Sequence, residues 1–296
     1  MHIFGSPPRK ISLIQEPPLI FFLPQEQAGI KMANSTSLLL LPGSFMPETV
    51  YSDVLDAVAK RGIDVRFLPL KSASLGSDDR REPPNMFDDA AAISQEVEIL
   101  ADQGKDVIVV ASSYAGVPLT QSCGGLSKAE REKSGKSGGL VKIGFMPSVI
   151  PEMGQAACEV LADVPPENII PMKGDTSGWL EMDPDHYAHI GALIFSNLSA
   201  DEQVVWASKT RRHSSKVFRD RVTFLSYALP DVDLEFLSCD NDRLISQNDQ
   251  KLAIGRLEKA SGKTVEVTFV SGDHTPALSA PSEVVEWLVK ISNIYF

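Results

Sequence analysis

Residues 106–116, DVIVVASSYAG, combine the features that decide the fold of this chain. The stretch starts with an unbroken apolar and β-branched run, residues 107–110, which is typical of a strand buried on both faces of a parallel sheet. The run ends in small residues that include two serines, and residues 117–123 can continue as a helix. A strand, an abrupt turn carrying serine and a helix together predict the geometry of a nucleophile elbow.

The two serines of this turn differ in the size of their neighbours. The central residue of such an elbow has a strained backbone, so the residues two positions before and after it must be small. For Ser113 these neighbours are Ala111 and Ala115, whereas Ser112 would place the bulky Tyr114 there. The pattern therefore favours Ser113 as the nucleophile.

Strands and helices alternate in the first half of the chain. Apolar runs predict strands at 37–42 and 63–69, and each is followed by a helix, at 48–60 and at 86–103. The elbow strand comes next. This alternation predicts an α/β fold with a doubly wound, mostly parallel sheet.

The second half interrupts and then resumes the alternation. Residues 124–139 are rich in Gly, Ser and Lys and predict a surface loop before a strand at 140–146. Residues 150–221 show no strong strand and only short helical pieces around 184–193 and 201–209, which predicts a helical lid inserted into the sheet domain. The alternation returns with strands at 233–238 and 264–270 and with helices at 246–259 and 282–295.

These patterns divide the chain into four segments. Residues 1–34 contain several prolines without clear periodicity and predict an N-terminal extension. The sheet domain comprises residues 35–149 and 222–296, and the predicted lid, residues 150–221, lies between its two parts.

Composition limits the class of protein and of partner. The chain has 296 residues, of which 43% are hydrophobic and 23% charged, as in ordinary globular proteins. Its net charge of −11 argues against nucleic acid and anionic membranes as partners. Three scattered cysteines indicate neither a disulfide framework nor a zinc site, and no signal peptide or membrane span is evident. We expect a cytoplasmic protein with a small-molecule substrate. The sequence does not decide between a monomer and a homodimer.

A nucleophilic serine needs a base, usually histidine, and a carboxylate that orients the base. Of the five histidines, only His274 directly follows a predicted strand of the sheet, in the segment SGDHTP. The sequence therefore predicts His274 as the base. The other four lie in the extension, in the lid and in a predicted basic helix: His2, His186, His189 and His213.

The carboxylate and the oxyanion hole are predicted at other loops of the same sheet edge. Asp240 and Asp242 both follow the strand at 233–238, and catalytic groups of open α/β sheets collect at the carboxyl ends of the strands. The resulting order of serine, aspartate and histidine along the chain is the expected one. Backbone N–H groups of Tyr114, after the nucleophile, and of Ser44, after the first strand, are the predicted oxyanion donors.

Apolar side chains near these loops are predicted to bind the substrate. They are Phe45, next to the oxyanion loop, and three residues of the lid, Met153, Trp179 and Met182. No cofactor and no metal are predicted, because GKS at 135–137 lacks the upstream glycine that a phosphate-binding loop needs.

At these motifs the sequence resembles the α/β-hydrolase superfamily. It looks most like the small-esterase branch that includes plant methylesterases and hydroxynitrile lyases, together with fungal and bacterial relatives. The matching segments are LLLLPGSF, ASSYAG, FLSCDNDRLIS, SGDHTPALSAP and the lid segment MDPDHYAHIGALIFSNLSADEQVVWASK. The resemblance extends from Ser37 to the C terminus, and it implies Asp242 rather than Asp240 as the carboxylate.

The chain departs from the family pattern at two places. The family's His-Gly at the oxyanion loop is Pro42-Gly43 here, and the usual glycines of the elbow are Ala111 and Ala115. Neither change removes a member of the predicted triad.

Together these features predict a cofactor-free serine hydrolase of an ester, thioester or lactone of a small apolar molecule, with Ser113, Asp242 and His274 as the triad. Lyase chemistry at a C–C or C–CN bond, or acyl transfer in secondary metabolism, is an alternative on the same triad. A ligand-binding protein that has lost turnover is a third reading. A complete triad argues against the third, because pure binding does not require it.

Overall fold

The computed structural model describes residues 35–76 and 79–293. The predicted N-terminal extension, residues 1–34, and the last residues of the predicted closing helix lie outside the described residues. The strands of the described part are β1 (Thr36–Leu41), β2 (Asp64–Phe67), β3 (Asp106–Ser113), β4 (Gly139–Ser148), β5 (Met172–Gly174), β6 (Trp179–Met182), β7 (His213–Ser214), β8 (Asp233–Cys239) and β9 (Glu266–Val270). The α-helices are α1 (Ser52–Lys60), α2 (Met86–Asp102), α3 (Gly116–Gln121), α4 (Lys128–Lys133), α5 (Ala157–Val160), α6 (Tyr187–Ile194), α7 (Ala200–Ser208), α8 (Gln247–Ser261), α9 (Pro276–Ser279) and α10 (Pro281–Ser292).

Six strands form one sheet in the order β2-β1-β3-β4-β8-β9. All neighbouring strands in it are parallel, so their carboxyl ends meet at one edge. This confirms the predicted α/β fold with a parallel sheet. The loops that follow β1, β3, β8 and β9 therefore lie at the same edge of the sheet, although they are far apart in the sequence.

Strand β3 explains why the sheet is covered by helices on both faces. Val107 and Val109 belong to a core that includes α2, while Ile108 and Val110 belong to a second core with α1 and α10. All four side chains are fully buried. Because successive side chains of a strand point to opposite faces, an unbroken apolar run needs cover on both.

The stretch at 124–139 is not a loop throughout, contrary to prediction. It contains α4, which begins with a capping box: Ser127 Oγ accepts from the Glu130 N–H, and the Glu130 carboxylate accepts from the Ser127 N–H. The Ser-x-x-Glu spacing was the available signal. The many glycine and lysine residues of the stretch favoured the prediction of a loop instead.

The inserted segment, residues 150–221, contains the predicted short helices as α6 and α7. It also contains an antiparallel sheet of β5, β6 and β7, which was not predicted. These strands have only two to four residues, too few for a periodic pattern. The prediction of a basic helix at His213 is wrong, since His213 begins β7 and is buried.

None of the helices in the described ranges combines the length and the apolar character needed to cross a lipid bilayer.

Candidate active site

The elbow at the end of β3 has a strained backbone. Ser113 has a φ of 53°, in the left-handed region that side chains other than glycine seldom adopt. The turn is tight, with the Ala115 N–H donating to the Ser112 carbonyl at 3.0 Å. Gly116 then brings the start of α3 against the end of β4, because a Cβ there would lie 2.6 Å from the Val149 carbonyl oxygen. The serine side chain is thereby held out at the sheet edge.

Ser113, His274 and Asp242 form a chain of hydrogen bonds at this edge. His274 Nε2 lies 2.9 Å from Ser113 Oγ, and His274 Nδ1 lies 2.9 Å from Asp242 Oδ2. The other carboxylate oxygen of Asp242 accepts from the backbone N–H groups of Leu244 and Ile245, at 2.8 and 2.9 Å. These bonds fix the carboxylate orientation. Such a chain can pass a proton from the hydroxyl to the imidazole.

Electrostatics favours a charged imidazole at His274. Burial by itself lowers the pKa of His274, but the charge of Asp242, its hydrogen bond and the charge of Asp273 together raise that pKa above its ordinary value. Asp273 was not predicted. Its carboxylate accepts from the backbone N–H groups of Asn197 and Thr275, at 3.0 and 2.9 Å, and so fastens the histidine loop. An Asp two residues before Thr is a common turn pattern and was the available signal.

The other candidates for acid and base do not reach Ser113. Asp240 is exposed and accepts from the Gln247 side chain at 2.8 Å. His186 and His189 are also exposed, on the inserted segment. Of the two aspartates considered in the acid loop, the structure brings Asp242 to His274.

The loop that carries Ser44, one of the two predicted oxyanion donors, closely approaches Ser113. A Cβ on Gly43 would lie 3.0 Å from the Ser113 Cβ, which shows how closely the loop after β1 approaches. The Gly43 N–H is already used, since it donates to the Tyr51 hydroxyl at 3.1 Å. Ser44 and Tyr114 both line the adjoining cavity, and neither backbone N–H donates to another group of the described residues.

A cavity of about 470 Å³ adjoins Ser113 and His274. Its lining is mainly apolar, and Arg219 is the permanently charged side chain among the described residues that line it. The structure places Phe45 and Met182 in this lining. Much of the remaining apolar wall, which sequence reasoning missed, comes from one irregular segment: Leu161, Val164, Ile169, Ile170 and Met172.

Two predicted substrate contacts do not line this cavity. Met153 lies on the surface with 58% of its area exposed. Trp179 is buried elsewhere, with the guanidinium groups of Arg81 and Arg212 5.8 and 5.6 Å from its ring centroid. Its position in β6 turns it away from Met182, which lies three residues later.

A second group of serine, histidine and aspartate lies behind the elbow, and sequence reasoning missed it. Ser72 Oγ donates to Asp89 Oδ2 at 2.5 Å and lies 3.1 Å from His213 Nε2. All three side chains are fully buried, and none lines the cavity. Burial raises the pKa of Asp89 to about 6 and lowers the pKa of His213 to about 3. The Ser72 group therefore has no contact with the space that a substrate could occupy.

Known proteins share this architecture. A model of the alpha/beta hydrolase family matches residues 38–287. A probable hydrolase, R7, of Phoma sp. is 25% identical over 260 residues, which cover 87% of this chain and 98% of the relative.

Solved structures resemble the chain over nearly their full length. A pyrethroid hydrolase from Sphingobium faniae JZ-2 superposes with a TM-score of 0.66 at 13% identity, covering 88% of this chain and 99% of the other. Polyneuridine aldehyde esterase superposes with a TM-score of 0.64 at 16% identity, covering 88% and 100%. At identities this low, the structural similarity shows a shared fold alone. The family match over most of the chain, together with the parallel sheet and its elbow, shows that the protein belongs to the alpha/beta hydrolase family and is an enzyme of the hydrolase class.

Proposed function

We propose that the protein is a serine hydrolase that cleaves an ester, thioester or lactone bond of a small apolar molecule. The observation that carries this proposal is the hydrogen-bond chain from Asp242 through His274 to Ser113, with 2.9 Å at each step, beside an apolar cavity. The order of the three groups matches their proposed roles, because the imidazole stands between hydroxyl and carboxylate.

The first half of the reaction forms an acyl-enzyme. Ser113 Oγ attacks the carbonyl carbon while His274 Nε2 takes the hydroxyl proton. Asp242 accepts a hydrogen bond from His274 Nδ1–H and stabilises the imidazolium. His274 then returns the proton to the departing alcohol or thiol. Water attacks the acyl-enzyme in the second half, with His274 again as base, and releases the acid.

The negative charge that develops on the carbonyl oxygen is held by two backbone donors, the N–H groups of Ser44 and Tyr114. Both residues line the cavity beside Ser113, and neither N–H is engaged within the described residues. Loss of a single such donor typically costs on the order of 10²–10³ in rate. The two amides are therefore expected to contribute measurably to the rate, although less than the nucleophile.

The cavity supports a small apolar substrate. Its volume, about 470 Å³, falls within the roughly 300–1,000 Å³ usual for small-molecule sites. Its walls bring Phe45, Phe218 and aliphatic side chains around Ser113. The name of one structural relative, polyneuridine aldehyde esterase, supports ester hydrolysis as the reaction, and that of another, a pyrethroid hydrolase, supports hydrolysis.

The test is turnover of p-nitrophenyl acetate and butyrate by the wild type, by Ser113→Ala and by Ser112→Ala. We expect Ser113→Ala alone to abolish the burst and the turnover. Labelling with a fluorophosphonate probe separates an enzyme from a binding protein, and product analysis separates hydrolysis from lyase or acyl-transfer chemistry. A wild type that is inert to the esters and to the probe would refute the proposal.

A further inference from the structure

Four buried polar side chains converge behind the elbow: those of Ser72, Asp89, Tyr114 and His213. Asp89 is their common acceptor. Its Oδ1 accepts from the Ser72 N–H at 2.9 Å, and its Oδ2 accepts from Ser72 Oγ at 2.5 Å and from the Tyr114 hydroxyl at 3.3 Å. We call these four residues the Asp89 network.

The hydrogen bonds of the network run from His213 through Ser72 to Asp89, and from Tyr114 directly to Asp89. The Ser72 hydroxyl has one proton, which it donates to the ionised Asp89, so its bond with His213 must be donated by Nε2–H. In a neutral His213 ring that is protonated on Nε2, Nδ1 has no proton, and this atom has no hydrogen-bond partner among the described residues. Burial lowers the pKa of His213 to about 3, so the ring stays neutral near pH 7.

One arm of the proposed oxyanion hole belongs to this network directly. Tyr114 supplies the backbone N–H beside Ser113, and its side chain is anchored to Asp89 by the hydroxyl. The ring also meets the His213 ring edge-on, with centroids 5.3 Å apart. The Tyr114 side chain is therefore tied to Asp89 directly through its hydroxyl and indirectly through the contact of its ring with His213.

The other arm contacts the network through Phe45, the residue after Ser44. The Phe45 ring lies 5.3 Å from the His213 ring, and the Phe45 carbonyl accepts from the Arg211 N–H at 2.8 Å, two residues before His213. Phe45 has a φ of 66°, so its backbone is strained and requires such support.

We propose that Asp89 is a positioning residue which, through Tyr114, Ser72 and His213, holds both amide donors of the oxyanion hole at the distance that the transition state requires. This inference rests on the proposed function. Asp89 itself does not line the cavity and acts only through its partners. A misplacement of about 1 Å can cost on the order of 10² in rate.

The decisive variant is Asp89→Asn, which keeps the shape of the side chain and removes its charge. With p-nitrophenyl butyrate we expect kcat to fall about 10- to 100-fold while KM changes by less than about threefold.

Inhibition by propyl trifluoromethyl ketone provides a second readout. Ser113 Oγ adds to its carbonyl carbon, the proton passes to His274, and the resulting oxyanion occupies the hole. In Asp89→Asn the inhibition constant of this ketone should rise by the same factor by which kcat/KM falls. The inhibition constant of methyl propyl ketone should not change.

Tyr114→Phe tests the same link without removing the backbone amide. We expect a smaller fall in kcat, about three- to tenfold, and the double variant with Asp89→Asn should be no worse than Asp89→Asn alone. The matched control is Glu235→Gln, another buried carboxylate, which lies 3.1 Å from Lys142 Nζ early in β8. It should lower stability and leave kcat unchanged.

The proposal is overturned if folded Asp89→Asn retains kcat within about twofold, or if its loss is matched by Glu235→Gln. Should Asp89→Asn fail to fold, Tyr114→Phe decides in the same way. An inert wild type would remove the proposed function and this inference with it. An active wild type with an equally active Asp89→Asn would remove the inference alone.

Discussion

The described part of the chain contains two hydrogen-bonded groups of a serine, a histidine and an aspartate, and they are connected in different orders. At the sheet edge, His274 lies between Ser113 and Asp242. In the Asp89 network the serine lies in the middle, with Ser72 Oγ bonded to both Asp89 and His213. Only the first order lets an imidazole take the serine proton while a carboxylate stabilises the resulting charge.

The two groups also differ in access and in electrostatics. Ser113 faces a cavity of about 470 Å³ from a strained turn, whereas Ser72 is fully enclosed. Nearby carboxylates overcome the effect of burial and raise the pKa of His274, while burial alone lowers the pKa of His213 to about 3. The same three residue types thus give a candidate reaction centre in one place and a rigid support in the other.

Serine removal should separate the two groups most strongly. Ser113→Ala is expected to lower kcat/KM for p-nitrophenyl butyrate by at least about 10⁴-fold, because the nucleophile is lost. Ser72→Ala leaves the nucleophile in place and should cost about tenfold or less. Steady-state measurement of kcat/KM for the wild type and both purified variants tests this difference. Equal losses would show that the Ser72 group takes part in the chemistry.

Neutralising each carboxylate should give the next largest difference. Asp242→Asn is expected to lower kcat about 10³- to 10⁴-fold, since the asparagine amide favours the wrong tautomer of His274. Asp89→Asn should lower it by about 10- to 100-fold. Single-turnover acylation rates measure both. A variant of Asp89 that is as inactive as that of Asp242 would contradict a purely positioning role.

His213 should make the stability of the protein depend on pH. Its pKa in the folded state is lowered from the ordinary 6.5 to about 3, so only the unfolded chain takes up a proton as the pH falls below 6.5. The contribution of His213 to the free energy of unfolding is present above pH 6.5. It should fall by about 2 kcal/mol by pH 5, because protonation stabilises the unfolded chain alone. Urea unfolding of the wild type and of His213→Gln at pH 7 and pH 5 tests this. A pH-independent difference between them would refute it.

Asp273 should have the smallest effect, on the pH profile. Its charge contributes to raising the pKa of His274, after the larger influence of Asp242. Activity requires a neutral His274, so it is lost as the pH falls through this pKa. Asp273→Asn should therefore move the acid limb of kcat/KM to lower pH. An unmoved limb would contradict a contribution of the buried Asp273 charge to the pKa of His274.

Local patterns were sufficient to predict the fold class and where two of the functional loops lie. The apolar run 107–110 required cover on both faces, and small residues at 111 and 115 favoured Ser113 as the centre of the elbow. His274 was distinguished by following a sheet strand. These signals are local because strand burial and turn geometry depend on residues a few positions apart.

Tertiary structure alone decided the rest. Pairing of Asp242 with His274 depends on how the two loops after β8 and β9 meet. Local patterns alone did not distinguish Asp242 from Asp240, and only the family resemblance favoured Asp242. The cavity wall comes largely from residues 161–172, which have no periodicity. In the Asp89 network, Ser72 is 17 positions from Asp89 and 141 from His213. Such contacts arise from packing between distant segments, for which a single sequence contains no local pattern.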